Sequence, residues 1–154
     1  MPKYIVRKGT AEDLDKIALH RVSMFRDMGS ITESEMDELK AASLRELDTM
    51  MAHGEYLAWL VECDAAVVAG GGMIIRRLLP RPKHLSGGRD AQILNVFTDP
   101  GHRKKGVARL LMTEMMKWCR ENGIDRISLH ASDAGRHLYE SLGFSPTNEM
   151  RYES

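Results

Sequence analysis

The chain has 154 residues, of which 43% are hydrophobic and 29% are charged, and these proportions are typical of one globular domain with a substantial core. The 22 lysine and arginine residues balance the 22 aspartate and glutamate residues, which argues against a general nucleic-acid-binding domain because such domains are usually strongly basic. No apolar run reaches the length of a membrane span and no signal-peptide core follows the N-terminus, so we expect a cytoplasmic protein with one domain at residues 1–154.

The first third of the chain predicts one strand followed by two helices. Alternation of apolar and polar residues from Tyr4 to Lys8 predicts the strand. Residues 10–13 and 32–35 resemble capping boxes, and apolar residues at helical spacing follow each of them. Two helices joined by a short polar linker are therefore expected.

A hairpin is predicted in the middle of the chain. Two β-rich runs, Tyr56–Cys63 and Val67–Arg77, flank a turn at residues 64–66. The three glycines at 70–72 interrupt the second run, and they indicate a bulge or a close backbone approach because no helix follows them. Residues 79–88 are rich in proline, glycine and basic side chains, which predicts an exposed connection.

The next stretch predicts a strand, a turn and a helix. Gln92–Thr98 is apolar and β-compatible, and the Asp-Pro-Gly sequence at 99–101 ends it. A helix with apolar residues at helical spacing begins near Gly106. Unpaired N–H groups at the start of a helix attract anions, and the turn at 103–106 is basic. A basic turn that only caps the helix is the alternative.

The last third predicts a strand at 126–131, a helix capped by Ser132 or Asp133, and a final extended segment from Phe144 to Tyr152. Strands and helices alternate in this half, so part of the sheet should be parallel. Cys63 and Cys119 fall in a strand pattern and a helix pattern, which favours buried free thiols over a disulfide or a metal site, and no metal is expected.

Two segments together resemble one enzyme family. The turn has the pattern Arg103-x-x-Gly106-x-Ala108 and lacks the Walker and Rossmann glycine patterns. It resembles the pyrophosphate-binding signature of the GNAT superfamily of acyl-CoA N-acyltransferases. Residues 132–144, SDAGRHLYESLGF, resemble the later family motif Asn-x-x-Ala-x-x-Leu-Tyr-x-x-x-Gly-Phe, although Ser132 and Gly135 replace the usual Asn and Ala.

The resemblance implies a fold and a cofactor, acetyl-CoA. The fold is of the α/β (α+β) class, with a mixed twisted sheet of about six or seven strands, flanked by four helices. The sheet would splay open between the strands at 92–98 and 126–131. The pantetheine arm would pair with the exposed backbone of the first of these strands, and the pyrophosphate would lie on the N–H groups of the turn. The implied cofactor-binding residues are Val96, Phe97, Thr98, Arg103, Lys104, Lys105, Gly106, Val107, Ala108, Ser132 and Tyr139.

The resemblance also implies two catalytic groups. The backbone N–H near Val96 would polarise the thioester carbonyl, and Tyr139 would donate a proton to the departing thiolate. No base for the acceptor amine is evident, because Gln92 and Asn95 stand where several family members have a carboxylate. His20 or His130 could serve, although a structural or solvated role is the commoner one for a histidine.

The expected reaction is transfer of an acetyl group to a primary amine of a small molecule or peptide, by direct attack in a ternary complex. The residues expected to line the acceptor site are His20, Arg21, Met24, Phe25, Met28, Arg81 and His130. A non-catalytic acetyl-CoA sensor of the same fold is the alternative function. Neither a nucleic-acid nor a membrane partner is expected, and a homodimer would form if a neighbouring subunit covered a short final sheet edge.

Overall fold

The computed structural model describes residues 2–154, and Met1 lies outside the described part. Five strands and four α-helices follow one another in these residues. Their bounds are β1 Tyr4–Lys8, α1 Leu14–Asp27, α2 Met36–Ala52, β2 Tyr56–Cys63, β3 Ala66–Arg77, β4 Arg89–Thr98, α3 Val107–Glu121, β5 Ile127–Leu129 and α4 Asp133–Ser141. No helix in the described residues is long and apolar enough to cross a membrane.

The strands form one mixed sheet in the order β1-β2-β3-β4-β5. The first four strands pair antiparallel, and β4 pairs with β5 in parallel. Within residues 2–154 the parallel pairing joins only Ala91–Ile93 to Ile127–Leu129, so in this part of the chain β4 has no strand partner on its β5 side from Leu94 to Thr98. The predicted splay between these two strands is therefore confirmed, and it leaves a row of backbone groups open to an incoming chain.

The predicted strand count of six or seven was wrong, because the sheet has five strands. The predicted strand within residues 144–152 does not form, and this segment has no regular secondary structure. Met150 and Tyr152 are 94% and 89% exposed, so the segment buries too little apolar surface to hold it against the sheet. Pro146 also lacks a backbone donor for strand pairing.

The helices cover both faces of the sheet. The first face carries α3, whose buried Leu111, Met112 and Met115 pack against the strands. The second face carries α1 and α2, whose Ile17 and Leu47 pack against β2. Cys63 and Cys119 are both buried and free, as the sequence predicted.

A β-bulge interrupts β4 where its pairing with β5 has ended. Side chains in a regular strand alternate between faces. Here Leu94 and Asn95 both lie on the α1–α2 face, while Ile93 and Val96 both pack on the α3 face. The register with β3 shifts at this point, and Asn95 has a φ of 61°. The bulge therefore places a polar side chain on one face beside open backbone at the strand edge.

The glycines of β3 accept close neighbours, as the sequence predicted. The ring of Tyr56 lies over the backbone of Gly72, and a Cβ added at Gly72 would overlap the hydroxyl oxygen and Cζ of that ring. The same Cβ would lie 2.7 Å from the carbonyl oxygen of Leu57, which cannot move away without distorting β2. Glycine at position 72 thus allows Tyr56 to reach across the sheet toward Asn95.

We expect Gly72→Ala to lower the free energy of unfolding by about 1–3 kcal/mol, because the methyl group overpacks a site that has no space. Chemical denaturation followed by circular dichroism measures this difference. Gly101→Ala is the matched control, since a Cβ there meets open space and the backbone does not require glycine. Equal stability of the two variants would contradict the described packing of Tyr56.

Candidate functional site

The turn before α3 presents free backbone donors. Gly106 is the N-cap residue of α3 with a φ of 80°, and Lys104 has a φ of 61°. The N–H groups of Lys104, Lys105 and Gly106 donate to no backbone carbonyl among residues 2–154. Because the first N–H groups of α3 also lack intrahelical acceptors, the turn and the helix together offer several donors to one anion.

Arg103 fastens this turn to its surroundings. Its Nε donates to the carbonyl oxygen of Thr98 at 2.8 Å, and its Nη2 donates to Asp27 Oδ2 at 2.8 Å. The guanidinium also lies 5.4 Å from the centre of the Phe97 ring. The Arg103 side chain therefore joins the end of α1 to the end of β4, and the lysines at 104 and 105 remain as the exposed charges of the turn.

A cleft of about 330 Å³ lies between the start of α3 and α4. Thr98, Gly106 and Ala108 line one side, while Ala134 and Leu138 of α4 line the other. Ser132 has a structural role, because its Oγ accepts a hydrogen bond from Gly135 N at 3.1 Å and caps α4. The predicted pyrophosphate residues other than Lys105 thus line one cleft, with Ser132 at the start of the facing helix.

Tyr139 is half-buried on the same face of the sheet as Val96, and both pack against the α3-side core. Its ring meets Phe144 edge-on at 6.2 Å between ring centres. A Cβ at Gly135 would lie 2.7 Å from the Tyr139 ring, so only glycine at this position leaves room for the ring in its observed position. The phenol oxygen bonds to no described residue and is not sealed from solvent. Burial raises the pKa of Tyr139, so the phenol stays protonated at neutral pH.

On the opposite face, α1, α2 and β4 enclose a cavity of about 250 Å³, which we call the α1–α2 cavity. Its walls are mainly apolar, with Leu47, Met50, Ile74 and Leu94 among the lining residues. Glu46 also lines this space and is exposed. The volume corresponds to roughly eight water molecules, which suits a small metabolite.

A polar chain forms one end of the α1–α2 cavity. Arg21 Nη1 donates to Asn95 Oδ1 at 2.7 Å, and Asn95 Nδ2 donates to the hydroxyl of Tyr56 at 3.0 Å. Burial raises the pKa of Tyr56 to about 12, so this phenol is neutral. Asn95 directly precedes Val96 in β4, so its side chain joins the cavity to the open edge of this strand.

His20 lies behind this network. Its side chain is 4% exposed, its ring centre is 5.4 Å from that of Phe97, and its Nε2 has no hydrogen-bond partner in the described residues. Burial lowers the pKa of His20 to about 4, against a smaller opposing effect of Asp99. The imidazole is therefore neutral and only weakly basic near neutral pH.

The structure does not bring all predicted acceptor residues together. Arg81 donates to the carbonyl oxygen of Gly87 and approaches Asp125 at 3.4 Å, in a separate cleft near the end of α3. His130 is exposed and bonds to Arg151 at 3.1 Å. Neither residue lines the α1–α2 cavity.

The residues of α1 divide in the same way. Arg21 lines the α1–α2 cavity, whereas Met24, Phe25 and Met28 do not. Phe25 lies under the Arg21 guanidinium at 4.9 Å, and Met28 is 58% exposed. These three side chains therefore do not form the wall of the cavity.

Sequence reasoning missed Tyr56 and gave Asn95 no positive role. Tyr56 occupies an ordinary strand position, and its only signal in the sequence was the glycine run at 70–72, which permits a large neighbour. Asn95 carried a signal, since asparagine tolerates positive φ better than most residues. The sequence carried no signal for the cavity residue Glu46, because a charged residue at this helix position is expected to be exposed.

Comparisons with known proteins show the family and the fold of the chain. Residues 21–144 match the model of the "Acetyltransferase (GNAT) family". A GCN5-related N-acetyltransferase from Ralstonia eutropha JMP134 is similar at 31% identity and a TM-score of 0.87, over 99% of each chain. A predicted acetyltransferase from Clostridium acetobutylicum, solved with acetyl-CoA, has 24% identity and a TM-score of 0.84, over 99% of this chain and 96% of its own, and shows the fold alone.

The human protein N-acetyltransferase 8 is 27% identical over 94 residues. This alignment covers 59% of the present chain and 39% of the human protein, so the similarity concerns less than half of that relative.

Proposed function

The chain belongs to the acetyltransferase (GNAT) family, and from this premise we propose that it transfers an acetyl group from acetyl-CoA to a primary amine. The observation that carries the proposal is the set of unbonded N–H groups at 104–106 beside the α3–α4 cleft. A diphosphate has the charge and the acceptor oxygens that such a group of donors binds. The Clostridium acetobutylicum neighbour, whose fold is similar, was solved with acetyl-CoA.

The open edge of β4 would hold the rest of the cofactor. Backbone groups from Leu94 to Thr98 have no strand partner on the β5 side, so an amide-containing arm can pair there as an added strand. In our proposal the N–H near Val96 donates to the thioester oxygen, where negative charge develops when an amine attacks the carbonyl carbon. Removing one such donor in other enzymes lowers kcat by about 10²- to 10³-fold, so this contact would be a large part of catalysis.

Two further residues complete the proposed reaction. When the carbon–sulfur bond breaks, the Tyr139 phenol donates its proton to the sulfur, since the phenol is protonated and has no other partner. The attacking amine must be neutral, and the Asn95 side chain bonds to Arg21 and Tyr56 and to no carboxylate in the described residues. The positive charge of Arg21 would instead lower the pKa of an amine bound nearby, which increases its neutral fraction.

Acetyl-CoA at saturating concentration should raise the melting temperature, because a ligand that binds only the folded state at about 100 times its Kd adds about 2.7 kcal/mol of stability. Free thiol should then appear when amines are added. Thiol release with a panel of amino acids, polyamines, amino sugars and peptides would identify acceptors. Binding without thiol release on any amine would favour the sensor alternative.

Charge reversal at the turn tests where the cofactor binds, and charge reversal elsewhere on α3 is the matched control. Lys104→Glu with Lys105→Glu should weaken acetyl-CoA binding and make it less dependent on salt, because both lysines are exposed in the turn proposed to hold the diphosphate. Lys117→Glu, near the other end of α3, should leave binding unchanged. An unchanged affinity in the double variant would contradict this placement of the cofactor.

A further inference from the structure

The α1–α2 cavity contains an arginine, Arg21, that forms no ion pair in the described residues, although Glu46 also lines the cavity. Arg7, Arg76 and Arg103 each form an ion pair with a carboxylate in the described residues. Arg21 forms none there, although its side chain is largely enclosed and burial lowers its pKa. A cation removed from water without a carboxylate is costly, so its retention points to a partner that arrives with the ligand.

The free side of the Arg21 guanidinium has the geometry that recognises a carboxylate. One of its five N–H donors bonds to the neutral amide of Asn95 at 2.7 Å. The other donors bond to no described residue and are not sealed from solvent, and Arg21 lines the cavity. Contacts with Asn95 and the Phe25 ring hold the plane of the guanidinium, which leaves an edge for a bidentate carboxylate.

The position of this cation selects the kind of acceptor. Arg21 contacts Asn95, the residue before Val96, so a carboxylate bound there lies close to the proposed thioester position. The reacting amine must also lie at that position, which requires an amine and a carboxylate separated by few bonds. The remainder of the ligand would fill the apolar space beside Leu47, Met50 and Ile74.

We propose that the acceptor is a small α-amino acid with an apolar side chain, whose carboxylate binds Arg21 and whose α-amine attacks the thioester. The inference rests on the proposed acetyl transfer, which it extends to a substrate class. In the balanced step the amine nitrogen bonds to the acetyl carbon, the carbon–sulfur bond breaks, and the amine loses one proton while the sulfur gains one. The products are an N-acetyl amino acid and CoA.

Three ligands of similar shape test the proposal: leucine has the amine and the carboxylate, 3-methylbutylamine has only the amine, and 4-methylpentanoate has only the carboxylate. Wild-type protein should acetylate leucine with a kcat/KM about 10- to 100-fold above that of 3-methylbutylamine, the range expected for losing a hydrogen bond to a charged group. Isothermal titration should show that 4-methylpentanoate binds and competes with leucine.

Arg21→Met should lower kcat/KM for leucine by a larger factor than kcat/KM for 3-methylbutylamine, so that the preference for leucine disappears. Arg21→Lys should recover part of it, since the charge remains without the planar fork. Arg45→Met, on the exposed side of α2, is the matched control and should behave as wild type. Melting temperature and acetyl-CoA affinity of each variant show whether its fold and cofactor site are intact.

The outcomes separate this inference from the proposed function. Equal use of leucine and 3-methylbutylamine by the wild type, or an equal loss on both in Arg21→Met, would overturn the carboxylate site while acetyl transfer stands. Arg21-dependent binding of 4-methylpentanoate without acetylation of any amine would support the carboxylate site and overturn the proposed function. Absence of 4-methylpentanoate binding at millimolar concentration would also overturn the inference.

Discussion

Replacing Tyr139 by phenylalanine is expected to lower kcat by about 10²- to 10⁴-fold, the usual contribution of a positioned proton donor. The departing thiolate is a weaker base than the phenolate, with reference pKa values of ~8.5 and ~10, so the donor must be held close to the sulfur to be effective. Burial raises the pKa of Tyr139 further, which keeps the proton on the phenol until the sulfur becomes charged.

The same substitution should leave folding and cofactor binding nearly unchanged. Phenylalanine keeps the edge-on contact with Phe144 and the contact with Gly135, and the lost hydroxyl has no hydrogen bond in the described residues. Stopped-flow acetylation at saturating acetyl-CoA measures the effect, with Tyr152→Phe as the control because that ring is 89% exposed. A Tyr139→Phe rate within twofold of wild type would rule out the proposed proton transfer.

Acidification should destabilise the fold through His20. The unfolded chain binds a proton on this histidine below its ordinary pKa of ~6.5, whereas burial keeps the folded imidazole neutral until a pH of about 4. The unfolded state therefore binds more protons between these values, and stability falls as the pH falls through this window. Below the folded pKa both states are protonated and this contribution to the pH dependence ends.

Between about pH 7 and about pH 5 the expected loss is about 2 kcal/mol, from ~1.4 kcal/mol for each pH step inside the window. Asp13 does not contribute there, because its hydrogen bond with Arg7 holds its pKa at about 2 and it stays ionised. Urea denaturation at several pH values measures the slope. His20→Leu should abolish it, whereas exposed His137→Asn should retain it. A wild-type stability that is flat across this range would contradict the burial of a neutral His20.

Local features were predictable because short stretches of sequence determine them. The strand at 4–8 and the start of the helix at Gly106 occur where the sequence predicted them. The capping interactions at Thr10 and Thr32 depend on residues three positions apart, so a pattern reveals them. The two motifs at 103–108 and 132–144 indicated the family in the same way. The final strand was predicted in error, because a strand also requires a partner edge, which no local pattern specifies.

The amino-acid sequence by itself determined the order of the elements from β1 to α4, the family, and the basic turn before α3, since each depends on residues close together in the chain. The tertiary structure alone decided which polar side chains form the cavity. Arg21 and Asn95 are 74 positions apart and Asn95 and Tyr56 are 39 apart, so neither hydrogen bond has a sequence pattern. Their meeting depends on the bulge in β4, on the close approach at Gly72, and on the packing of α1 against the sheet. Such contacts depend on the global fold, and only the fold shows that Arg21 lines the cavity without an ion-pair partner in the described residues.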